Sequence, residues 1–406
     1  MTGTPFKEAR TMAPMSPGAG ATRRRWAGAR GRSAVRPGLG PAAAGLAAAT
    51  AACVAACGGG TPTGPGGSLS RADLLVLNST GQTLSAWSVV GDALSAAGGT
   101  VDLGVGFDGD ALATSGEWAA STVSSYGGSR IVLVDLAFGT VSTASFPDPE
   151  GALANPSRPS FDAGGTLWVG GRGSDAVYRL DPGAATATRV ASGVGSFVES
   201  VVPFGSELFA IDANLDDDGM TYLPRGPGRV VVLGRDGVER DVLVLPASAP
   251  NPSGAVIAAG RIAILAGGTF DPATFAPRAD GALLLLEPGS RALGTPIPLG
   301  ANGIGIEAGA DGLVYVTTTR DFASIEILRF DPSLGSFERG PDDPVRPRGA
   351  DGDPVDCWSA TGLSDGRIVC VTFRSDAPGL LLLADAEGKA LDEAPSGFGS
   401  TDVALR

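Results

Sequence analysis

Apolar residues along the chain fall into short runs separated by Gly-, Asp- and Pro-rich turns, and the runs recur in a fixed order. The stretch GTLWVGGRGSDAVYRLDPG, residues 165–183, shows the unit: a run LWV, a polar turn, a second run VYRL, and the turn signature Asp181-Pro182-Gly183. Such runs bounded by such turns predict strands joined by hairpins. The second run recurs as TLSAWSVVGD, RIVLVDLAFG, AVYRLDPG, RVVVLGRDG, ALLLLEPG, EILRFDPS and LLLLADAEG, starting at Thr83, Arg130, Ala176, Arg229, Ala282, Glu326 and Leu380. Ahead of each stands a first run: DLLVLN, EWAAST, TLWVGG, ELFAID, RIAILA, GLVYVT and RIVCVT.

With Leu74, Trp118, Leu167, Leu208, Ile262, Leu313 and Ile368 as equivalent positions, the steps are 44, 49, 41, 54, 51 and 55 residues. A period of about 40–50 residues holding several strands predicts propeller blades. The two runs are the second and third strands of a blade. In the unit above, PSFDA supplies an inner strand and ATRVA an outer one. Seven copies predict an all-β, seven-bladed β-propeller over residues 71–406. A six- or eight-bladed ring and a β-sandwich are the competing architectures, and seven repeats count against the sandwich. The body opens directly on a second strand, DLLVLN, and finishes on Ser400-Thr401-Asp402-Val403-Ala404-Leu405, an inner strand without a blade of its own. Pairing these two ends would close the ring and leave no open edge.

The first 56 residues differ from the body. They carry eight basic residues and one acid, turn weakly apolar, and finish in small residues. That order predicts a secretory signal. The tetrad Val54-Ala55-Ala56-Cys57 resembles the lipobox of bacterial lipoproteins, which implies lipidation of Cys57 and an envelope location, at the outer membrane, periplasm or cell surface. A Gly/Pro-rich tether over residues 57–70 would then hold the body off the membrane. The alternative is a transmembrane anchor, against which the Ala- and Gly-rich stretch 39–56 has few large apolar residues. The pattern LLVLNSTGQTLSAWSV followed by TVDLG resembles the repeat of YncE-like, or surface-antigen, propellers of bacteria, over residues 73–406. The resemblance concerns the fold, and fold does not set function.

Charge and composition narrow the chemistry. The chain carries 30 basic and 43 acidic residues and no histidine. Beyond Cys57 the balance is 22 bases against 42 acids, which disfavours nucleic acid. The missing histidine removes Ser-His-Asp and Cys-His nucleophile activation and His-ligated metals. Lys389 is the sole lysine beyond Cys57. The reading is a non-enzymatic envelope scaffold that presents one propeller face to a protein, glycan or small ligand. The alternative is a calcium-type lactonase resembling gluconolactonases, with a site at the channel mouth.

Propellers bind where inner strands begin. Counting nine residues back from the equivalent positions places Arg158, Glu199, Ser253, Ile304 and Ser359 on the inner strands of blades three to seven. Asn155, Asn251 and Asn302 lie just ahead. Arg158 and Glu199 fall on adjacent blades, as an ion pair at a wet wall or as ligand contacts. The long loop 212–228 carries Asp212, Asn214, Asp216 and Asp218. Its Asn214-x-Asp216-x-Asp218-Gly219 matches the opening of a calcium loop, but Arg225 stands at the twelfth position where a bidentate Glu belongs. Weak Ca2+ binding and a plain solvated loop are the two readings. Cys357 and Cys370 are a candidate disulfide. A two-residue turn at Asp365-Gly366 would put Cys370 opposite Thr361 and Cys357 four residues beyond, too far at about 3.3 Å per residue. A wider turn or a folded-back lead-in segment would bring them together; otherwise Cys370 is a small core residue.

Overall fold

The computed structural model describes residues 68–104, 109–123, 129–147, 155–215 and 224–406. The signal segment, Cys57, Asp216 and Asp218 lie outside the described residues. The remainder is all-β: seven antiparallel sheets arranged as a β-propeller. In blades two to seven the chain runs from the innermost strand outward, four strands to a blade, with one further short strand in blade five. The inner strands are β4 (Gly109–Thr114), β8 (Ser160–Phe161), β12 (Val198–Phe204), β16 (Pro252–Ala258), β21 (Asn302–Ala308) and β25 (Ser359–Gly362).

Blade one is built from both ends of the described body. From the axis outward it is β29 (Ser400–Leu405), β1 (Leu74–Asn78), β2 (Thr83–Val90) and β3 (Ala93–Asp102), and β29 lies antiparallel to β1 with Val403 opposite Val76. Closure is therefore by the terminal strand, as the sequence pattern predicts. Leu69, read from the sequence as tether, is fully buried and packs between blades one and two, donating its N–H to Leu136 O at 2.8 Å.

The uninterrupted apolar runs have a simple cause. Each sheet is sandwiched between two others, so alternate side chains of one strand serve opposite interfaces. In β1, Leu75 and Leu77 pack toward blade two, while Leu74 and Val76 pack toward blade seven. Seven apolar clusters result, one at each junction between neighbouring blades. The middle strands carry apolar residues on both faces because neither face meets water.

The inner strands share a further feature. Near its start each inner strand slips by one residue against its neighbour in six of the blades. Thr401 is the extra residue between the pairs Ser400–Asn78 and Asp402–Leu77. Glu199 is extra between Val198–Asp212 and Ser200–Ile211. Ser253 and Ile304 stand in the same way in blades five and six. Blade two slips between Gly109 and Leu112. In blade three Pro156 opposes Gly171, but Ser160 opposes Trp168. Such bulges turn a side chain that the pleat would point elsewhere, and they recur next to functional sites. Here they form a ring at one level of the central channel.

Candidate functional site

The channel holds a cavity of about 220 Å³ at this level. Its wall takes residues from all seven blades, among them the bulge residues Ala111, Glu199, Ser253, Ile304 and Thr401. All five positions counted from the sequence line it: Arg158, Glu199, Ser253, Ile304 and Ser359. The constant offset of nine hides the bulges, however. In blades four to six it lands on the extra residue, and in blade seven Trp358 precedes Ser359 in the wall.

The ion pairs differ from the expected one. Arg158 does not meet its adjacent-blade neighbour first; it reaches across the axis to blade six, where Nη1 lies 2.8 Å from Glu307 Oε1 and donates to Ile306 O at 2.6 Å. Glu199 instead receives Arg172, Nη2 to Oε2 at 2.7 Å and Nε to Oε2 at 2.8 Å. Arg172 enters from the loop after β9 (Leu167–Gly171), with its guanidinium 5.9 Å from the Phe197 ring centre. The nine-residue offset reaches only the mouth and so misses Glu307, which sits deeper in β21; the signal for it is the single acid in the strand NGIGIEA. Arg158 and Glu307 also line a second cavity of about 350 Å³ further along the axis, so the pair stands between the two.

Asp402 completes the wall. It accepts from Ser359 Oγ at 2.6 Å and from Leu112 N at 2.9 Å, tying blade one to blades seven and two. Burial pushes its carboxyl upward, with the Arg158 charge and these bonds opposing. Burial pushes Glu307 up to about 8, and the neighbouring Asp402 charge adds to it, against the pull of Arg158. One guanidinium thus faces two carboxyls, and Glu307 keeps its proton near neutrality. Its folded form holds a proton that the unfolded chain releases above the ordinary carboxylate range. The contribution is therefore full at or below about pH 4.5 and fades as pH rises toward 8. Glu307→Gln should flatten this slope, worth on the order of 3 kcal/mol, in urea unfolding at pH 5 and pH 8; an unchanged slope would place the titration elsewhere.

The asparagines take other roles. Asn155 and Asn251 adopt φ of 42° and 53°, a left-handed turn that Asn tolerates. Each offers its carbonyl to the second strand's end, Asn155 to Arg172 N and Asn251 to Gly267 N. Buried Asn302 pins the 267–281 loop, donating to Thr269 O and accepting from Ala279 N, both at 2.9 Å. None of the three is among the residues that line this cavity. In the other long loop, fully buried Asp212 accepts from Phe197 N and Asn214 N and holds Arg229 through Oδ2. Asn214 bonds Pro227 O and Ser196 Oγ. These two candidate cation ligands are already engaged in fixing the loop base. No group of three or more acidic or cysteine side chains among the described residues is placed to hold a metal ion.

Cys357 and Cys370 are bonded, with Cα atoms 5.6 Å apart. The turn is wider than the two-residue one: Leu363 N bonds Arg367 O, and Cys370 faces Ala360 rather than Thr361. The lead-in segment folds back beside the strand end, so the cysteines meet. The bond adjoins Trp358, whose ring lies 5.8 Å from that of Phe373. Phe270 and Phe322 stack at 5.6 Å. In a four-strand meander the loop between strands two and three shares an end with the start of strand one. Phe270, Phe275, Phe322, Trp358 and Phe373, all exposed, therefore crown the same face as the cavity.

A scan of protein families gives no match to the chain, and a search of curated proteins likewise gives none. Solved structures do resemble it. A Lactobacillus plantarum protein is 14% identical across 82% of this chain and 98% of that one, with a TM-score of 0.53. A quinoprotein alcohol dehydrogenase-like protein from Bacteroides thetaiotaomicron is 12% identical across 83% and 78%, TM-score 0.53. The dihydro-heme d1 dehydrogenase NirN, in complex with DHE, is 15% identical across 84% and 67%, TM-score 0.51. At such identities the likeness is one of fold, and the fold is the β-propeller.

Proposed function

We propose that the protein is a non-enzymatic binding propeller of the cell envelope, moored through an acylated Cys57, that engages its ligand at the aromatic-crowned end of the channel. The observation that carries this reading is the ring of bulges. Six inner strands each insert a residue at one level, and the inserted residues Glu199, Ser253, Ile304 and Thr401 stand in the wall of the cavity. Convergent polar groups in a concave, partly apolar site are what a binding pocket requires. The absence of histidine from the sequence and the engagement of Asp212, Asn214 and Asn302 in loop bonds speak for binding over hydrolysis.

A dialysable small-molecule extract of envelopes is expected to raise the melting temperature of the wild-type chain and not that of Ile304→Trp, which fills the cavity. Equal shifts in both would move binding off the channel. Turnover of a lactone or sugar acid that Glu199→Ala abolishes would replace the reading with an enzymatic one. Lipid labelling that Cys57→Ser fails to remove would cancel the mooring.

A further inference from the structure

Exposed aromatic side chains are spread unevenly over the disc. Among the described residues there are seven, and Phe138 alone sits at the end where the inner strands finish. The others stand at the end where inner strands begin, and five of them, Phe270, Phe275, Phe322, Trp358 and Phe373, occupy loops of three consecutive blades, five to seven. A lone exposed ring needs no explanation, whereas a cluster of this kind marks an interaction surface.

The loops of this arc are held in place. In blade five a short hairpin forms, with Arg278 N bonded to Thr269 O at 3.0 Å and Asp271 N to Ala276 O at 2.9 Å. In its turn the Asp271 carboxylate accepts from Thr274 N and Ala273 N, both at 3.0 Å. Blade six repeats the device, with Asp321 accepting from Ala323 N at 2.9 Å and Ser324 N at 3.0 Å. These bonds hold both carboxyls below the ordinary carboxylate range, so the turns stay set at neutral pH. The Phe270 and Phe322 rings then stack from one blade to the next. Phe275 and Phe322 hold φ of 57° and 60°, a left-handed conformation that is costly for a bulky residue. The Phe275 side chain is nonetheless 71% exposed, so the strained turn sets a ring in solvent rather than in the core.

Charge and the course of the chain narrow what the arc meets. Beyond Cys57 the acids exceed the bases by 42 − 22 = 20. Such a body repels a second copy of itself and an anionic bilayer, and it attracts a basic surface. The chain enters the body at the far end, where Leu69 N bonds Leu136 O and the Arg406 side chain bonds Ser70 O. Mooring through Cys57, eleven positions ahead of Ser68, attaches at that end and not at the aromatic one.

Resting on the envelope-binding reading above, we propose that the aromatic arc of blades five to seven docks an amphipathic basic segment of another protein, its apolar side chains on the rings of Phe270, Phe275, Phe322 and Phe373 and its Lys or Arg side chains toward the acidic body. Aromatic side chains are prominent among those that carry interface energy, and cations also settle on their faces. Loops ordered in advance reduce the entropy lost on docking.

The test is calorimetric titration of the full chain with the peptide acetyl-LKKLLKLL-amide, beside its glutamate counterpart acetyl-LEELLELL-amide and vesicles of phosphatidylcholine with and without phosphatidylglycerol. The lysine peptide is expected to bind and the glutamate peptide to bind at least about tenfold more weakly. The double variant Phe275→Ser/Phe322→Ser, its folding checked by its melt, should weaken the lysine peptide at least about tenfold. Equal binding by that variant overturns the proposal, since the attraction would then belong to an acidic protein at large. So does preference for the glutamate peptide, and so does vesicle binding that the variant loses, which would make the arc a bilayer contact. No binding of either peptide overturns it as well. The channel reading is tested apart from this: an extract shift that Ile304→Trp abolishes keeps the channel even where both peptides fail, and peptide binding without any extract shift keeps the arc alone.

Discussion

Removal of residues 400–406 is expected to abolish cooperative folding. Those residues supply the whole inner strand of blade one. Val403 is fully buried in the cluster between blades seven and one, and Asp402 ties three blades together. Without β29, the axial edge of β1 presents unpaired N–H and C=O groups to the channel, the ring is open, and the edge becomes a template for other chains. Lost ladder bonds and apolar burial together reach roughly 5–10 kcal/mol, comparable with the whole stability of an ordinary domain. A milder variant grades the effect: Val403→Asp, a buried charge opposite Val76, should cost about 4 kcal/mol. Circular dichroism melts and size-exclusion chromatography read both. A truncated chain that melts like wild type and stays monomeric would show that the ring does not depend on its terminal strand.

Loss of the Cys357–Cys370 bond carries the second large effect. The bond closes a loop of 13 residues in sequence separation, and both cysteines are fully buried. Constraint of the unfolded chain by a loop of this length is worth about 3 kcal/mol. The double variant Cys357→Ala/Cys370→Ala, or wild type in reductant, should lose about that much in urea unfolding. The lead-in segment that carries Trp358 would also lose its anchor, so near-ultraviolet signal from that ring should weaken before the melt. Unfolding indifferent to reductant would show that packing of the two thiols suffices.

Strands two and three of every blade were legible because burial on both faces forces apolar residues at consecutive positions, and the turns between them have their own chemistry. Outer strands such as β19 (Ala292–Leu293) and β24 (Ser336–Arg339) left almost no pattern, since one face meets water and the pairing is short. Inner strands have no common apolar pattern, from VESVVPF in blade four to NGIGIEA in blade six, so beyond PSFDA and the terminal strand their positions came from the offset to the second strands. That count reached the right level of the channel, which is why Arg158, Glu199, Ser253, Ile304 and Ser359 all face the cavity. The bulges were not legible, because one extra residue changes neither composition nor period. Nor was Arg158's partner: blades three and six lie far apart along the chain and meet only across a closed ring. The cysteine pair turned on a single register step. A two-residue turn and the observed wider one differ by one position, and that step decides which residues oppose.

The ion pair of Arg158 and Glu307 lies where two cavities adjoin, so the space along the axis is two compartments with a shared wall rather than one even passage. On the binding reading proposed above, a ligand held in the compartment at the aromatic end would leave by the end it entered, past the rim that carries Trp358.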